Sequence, residues 1–259
     1  MTGSRTPSPP ANPPPPDGGR PAPGGRPWLG GWAGLGGAAW LTGRRATGLC
    51  GLAAVALTLP AFVLLPPAPA AGTPAGRVVA YYQQHGDAFL AYGWLLGLSV
   101  PLMVVHLAAV AHWMRGQARL PGPLWLVYLA GATLGHTVQL LLLAVFQVLV
   151  LVAGHPDSAL VRPLSELANV GFSYFAVAQA VPLAAGALAV ARTGVVWRWL
   201  AWPAAAAVAL CLLGSLGTVS RSGPLAGGAL ATSLWYLAFL AVFTLVNAAL
   251  LGRPRAAAR

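Results

Sequence analysis

Lysine is absent from this chain of 259 residues, and acids nearly so: fifteen arginines stand against four Asp and Glu in total. Charged residues make up 7% of the sequence, where a soluble domain carries roughly a quarter, so an ordinary water-soluble fold is excluded. Cysteine is scarce too. Cys50 and Cys211 both fall inside apolar runs, which encodes no disulfide framework and makes each a small buried hydrophobe. No phosphate-binding Gly-Lys loop, HExxH, GxSxG or CxxC occurs, and the enzyme classes that depend on them lose their basis.

What the chain has instead is apolar length. Hydrophobic residues are 57% of it, its mean hydropathy is +0.70, and six stretches contain no Asp, Glu, Lys or Arg: 47–65, 88–114, 124–153, 169–191, 199–219 and 225–251. Each approaches or exceeds the ~17–25 residues that cross a bilayer as a helix. Backbone groups in lipid must be satisfied within the segment, and the short alternating strands of a transmembrane barrel are missing. The expected fold is all-α, a polytopic membrane helical bundle of six transmembrane helices at 44–253. It is preceded by a disordered Pro/Gly-rich tail at 1–43 and followed by a short tail at 254–259.

The arginines orient this thread, because positive residues are retained on the cytoplasmic side. With the N-terminus inside, Arg5, Arg20, Arg26, Arg44, Arg45, Arg115, Arg119, Arg192, Arg198, Arg253, Arg255 and Arg259 share one side, while Arg77, Arg162 and Arg221 face the other. Twelve against three predicts a multi-pass protein of the cell membrane with both termini cytoplasmic. Trp197, Trp199 and Trp202 suit the inner interface and Tyr81 with Tyr82 the outer one. The charge of +11 therefore reads as topology rather than as a nucleic-acid surface.

The tail contains Pro7, Pro9, Pro10 and the run from Pro13 to Pro16, a composition with little to bury. After it, Trp28, Trp32 and Trp40 suit an interfacial position. In the first outer loop, Thr73 and Pro74 mark the start of a short surface helix, Val78, Tyr81, Tyr82 and His85 follow helical spacing, and Gly86 is the expected stop. Asp87 is the expected N-cap of the second span, Asp157 that of a helix from Ser158, and Pro163 fits a first turn leading into the fourth span. The pairs Gly93 with Gly97 and Gly131 with Gly135 have the four-residue spacing that permits close helix contact.

Candidate chemistry is confined to neutral polar residues. His106, His136, Gln139 and Tyr174 form the expected intramembrane cluster, with His136 and Gln139 three apart on one helix face. Two histidines on neighbouring helices can hold a haem or metal. Counted from the expected inner boundary, however, His106 lies roughly 12 Å deep and His136 roughly 20 Å, too uneven for an axial pair, so hydrogen bonding within the bundle is the reading adopted. Outside, His85 and Asp87 repeat the spacing of His155 and Asp157, with Glu166 nearby, a set that zinc could use but whose two aspartates are the expected helix caps.

Arg44-Arg45, the segment from Val79 to His85, the segment from Leu164 to Leu167, and the segments from Ala191 to Gly194 and from Trp197 to Leu200 together resemble a group of hypothetical multi-pass integral membrane proteins of actinobacteria, some of the domain-of-unknown-function type. The resemblance covers 44–253 and implies fold and location, with no activity to carry over. The expected function is a non-enzymatic scaffold or accessory membrane component. The alternatives are a transporter or binder of a small uncharged or lipid-like ligand, and an enzyme or sensor with an outer metal site. No cofactor and no resident metal is expected. Membrane lipid is the expected partner, nucleic acid is not, protein partners carry no signature, and homo-oligomerisation stays open. A cavity lined by the polar cluster favours the ligand reading, and dry packing favours the scaffold.

Overall fold

The computed structural model describes residues 43–64, 68–69, 72–155, 159–219 and 230–252. The proline-rich tail with its tryptophans, the Asp157 cap and the C-terminal tail lie outside them. Among the described residues there are seven α-helices and no strand: α1 Arg44–Leu64, α2 Ala75–Gln84, α3 Gly86–Arg115, α4 Leu124–Ala153, α5 Val161–Thr193, α6 Ala201–Ser215 and α7 Leu230–Leu251. Short 3-10 turns flank α6 at Arg198–Leu200 and Leu216–Thr218. All but α2 are long and apolar enough to cross a membrane, which is the architecture of a multi-pass membrane protein.

These six helices form a closed ring in chain order. Each packs chiefly on its two neighbours, α1 on α3, α3 on α4, α4 on α5, α5 on α6 and α6 on α7, and α7 returns to α1. Lipid offers no hydrophobic drive between helices, so contact depends on fit and on small residues. At the α4–α5 seam a Cβ added at Gly131 would stand 2.7 Å from Val181 and 2.9 Å from Pro182. Ring closure uses the same device, because an added Cβ at Gly51 of α1 would fall on the Asn247 amide of α7. The Arg44 guanidinium then ties the start of α1 to the end of α7 through Nη2 donating to the Ala249 carbonyl at 2.8 Å. Of the Gly93 and Gly97 pair, Gly93 receives the Gln147 side chain while Gly97 meets nothing within 4 Å.

Toward the end opposite the arginine-rich one the ring is filled by aromatic side chains. Trp235 has no solvent exposure and sits 5.1 Å from Phe172, 5.3 Å from Phe175 and 5.3 Å from Tyr236 between ring centroids, with Phe62 stacked on Tyr236 at 4.7 Å. Over this end lies α2, whose buried Val78 and Tyr82 pack with Phe89, Leu149 and Val161. Two expectations are corrected here. Gly86 does not stop α2 but opens α3, and Asp87 is not a cap but a residue of the first turn of α3. The reason is that the chain needs only His85 as a turn between the two helices, so the glycine and the acid are already inside the next helix, where a carboxylate favours the N-terminal dipole. As expected for Pro163, α5 begins at Val161 and carries that proline in its first turn, with Arg162 Nε paired to Glu166 at 3.1 Å.

Candidate functional site

The other end of the ring is hollow. A cavity of about 390 Å³ lies among α1, α3, α4, α5, α6 and α7. Its walls run from Met114 to Met103 on α3, from Val190 to Gln179 on α5 and from Leu250 to Phe239 on α7. Each stretch is twelve residues, eleven helical rises from end to end, so the cavity reaches about 16 Å along the bundle. Arg44, Trp113, Val195 and Leu250 line the arginine-rich end, and His136, Gln179 and Phe239 form the floor. The walls are rich in small residues, including Ala109, Ala132, Gly186, Ala187 and Ala204. An added Cβ at Gly186 finds only Tyr128, at 4.0 Å.

Few polar groups interrupt this surface. His106, 3% exposed, holds its Nδ1 3.1 Å from the Thr47 carbonyl and its ring edge-on to Phe243. His136 places Nδ1 3.0 Å from Gln139 Oε1. A carbonyl oxygen only accepts, so both Nδ1 atoms donate and both Nε2 atoms are left as acceptors; neither has a hydrogen-bond partner among the described residues. Gln179 is buried with its Nε2 unpaired, and the buried Nε of Arg44 is unpaired as well. Below the floor, a void of about 10 Å³ separates His136, Gln139 and Gln179 from Thr58, Ser99 and Tyr236.

The expected cluster is thus partly assembled. His106 and His136 line the large cavity, and Gln139 faces the small void beneath it. Tyr174 does not join them: it is 58% exposed on the outward face of α5, and this corrects its place in the cluster. Helix geometry gives the reason, since Tyr174 and Gln179 are about 140° apart around α5. Phe175, Gln179, Pro182 and Gly186 have the spacing of a single inward face, and that spacing was the available signal for Gln179. Arg44 had none, because its charge marks a helix end as readily as a cavity wall. On the outer side, His155 is exposed, and among the described residues no three His, Cys, Asp or Glu come together as a metal site.

The arrangement defines a membrane bundle with one large apolar chamber and a sparsely polar floor, able to enclose an apolar body and to hydrogen-bond one small group. No protein-family model matches the chain, and no curated protein or solved structure does.

Proposed function

We propose that this protein binds a lipid-like, predominantly apolar molecule within the cytoplasmic half of the cell membrane. The cavity carries this reading. Protein interiors are close-packed, and an apolar void of about 150 Å³ already takes up small hydrocarbons. A volume of about 390 Å³ falls within the roughly 300–1,000 Å³ range of ligand pockets. A scaffold requires no such chamber. The cytoplasmic assignment is supported by the clustering of Arg44, Arg45, Arg115, Arg119, Arg192 and Arg198 beside the ends of the helices that line the cavity. Arg115 rests over Trp125 at 5.4 Å, and Trp197 stacks on Trp199 at 6.1 Å, contacts suited to an interfacial belt. Membrane lipid is both the solvent and the nearest source of ligand.

The test is saturable stabilisation of the delipidated full chain in detergent by n-decane, read as a rise in the thermal midpoint. The native chain should show it and Gly186→Leu, whose side chain occupies the cavity, should not. No saturable shift in the native chain, or the same shift in both, returns the protein to the scaffold reading.

A further inference from the structure

The polarity of the cavity floor is unbalanced. Gln179 is 3% exposed and lines both the large cavity and the small void, yet its amide makes no hydrogen bond among the described residues and its Nε2 is buried without a partner. None of the surrounding polar groups described pairs with it: the Thr58 and Ser99 hydroxyls donate to the carbonyls of Ala54 and Leu96, and Gln139 Oε1 accepts from His136. A Cβ placed on Gly135 would stand 2.8 Å from Gln179 Nε2, so the amide lies directly over the residue preceding His136, whose own Nε2 is a free acceptor. An unpaired amide at this depth is costly and calls for a complementary group.

The chemistry of that group follows from the floor. Gln179 offers a donor and an acceptor, and His136 a second acceptor. A hydroxyl both donates and accepts, so it can satisfy the pair; a ketone only accepts and leaves the imidazole nitrogen bare. A carboxylate would bring a charge to the middle of the bundle with no cation beside it, because Arg44 stands at the opposite end of the cavity. The body of the ligand must be apolar to match the walls. We propose that the ligand is an uncharged long-chain alcohol seated with its hydroxyl against Gln179 and His136. This rests on the ligand-binding reading above.

The experiment compares n-decanol, n-decane and n-decanoic acid on the full chain in detergent, measuring the dissociation constant of each from its thermal shift. The decanol-to-decane preference is then divided by the same preference in Gln179→Leu and in Gln179→Met, which cancels partitioning into the detergent. A fall of about tenfold in both variants, with decane binding retained, is expected for one buried hydrogen-bonded group, and decanoic acid should bind more weakly than decanol. An unchanged preference in a folded variant, or acid binding as tight as alcohol, overturns the proposal; the first result would leave the amide to a single bound water in the small void. Binding of none of the three to the native chain overturns the cavity reading itself.

Discussion

The two ends of the helical ring are built from the same six helices and differ in what those helices turn toward the centre. At the end opposite the arginine-rich one the centre holds Phe172, Phe175, Trp235 and Tyr236 in mutual ring contact. At the arginine-rich end it receives Ala109, Ala132, Gly186, Ala187 and Ala204. Small residues between two membrane helices draw the helices together. Facing the centre of a closed ring they cannot, because each helix is already held by a neighbour on either side. The lost side-chain volume therefore remains as a cavity instead of being taken up by collapse. Small residues mean contact at a seam such as Gly131, and space at the ring centre such as Gly186.

The largest effect is expected in the filled half. Trp235→Ala removes a fully enclosed indole from an aromatic cluster, and should lower unfolding stability in detergent by about 3–5 kcal/mol. A loss no greater than that of a surface substitution would mean the filled end is not tightly packed. Next comes the seam: Gly131→Leu forces a side chain against Val181 and Pro182, and overpacking of this kind costs about 1–3 kcal/mol, measurable in the same unfolding experiment. Gly186→Leu makes a similar chemical change at the ring centre and should behave oppositely. It should alter stability by no more than about 1 kcal/mol, in the favourable direction because glycine is a poor helix former, while abolishing ligand binding. Equal destabilisation by the two glycine substitutions would erase the distinction between seam and centre. The smallest effect, within about 0.5 kcal/mol, is expected for Trp202→Ala, because Trp202 is 80% exposed and so packs little against the bundle.

The elements were legible in the sequence because membrane-spanning helices are written as apolar length. The run at 124–153 and α4 occupy the same residues. Where charge interrupts the pattern the apolar run alone falls short: it starts at 169 but α5 starts at Val161, because Arg162 and Glu166 pair with each other one turn apart and both stay exposed, and only Pro163 signalled the earlier start. Which face points inward was much harder to read. In water an apolar stripe marks the buried side, but in lipid both sides are apolar, so Leu141 and Leu151 face outward in a helix whose inward face is equally hydrophobic. That ambiguity put Tyr174 into the polar cluster and left Gln179 out. The order of the ring was not legible at all, since closure of α7 on α1 depends on Gly51 and Asn247 meeting across some two hundred residues of chain.

The claim that the arginine-rich end encloses a ligand is tested most directly by photolabelling the full chain with an alkyl diazirine and mapping the modified peptides. The account predicts labels on inward residues such as Met103, Leu183 and Phe243, suppressed by Gly186→Leu while labels on the exposed Trp94, Leu141 and Leu151 persist. Labelling confined to those outward residues in the native chain, or inward labels that survive the glycine substitution unchanged, would contradict it.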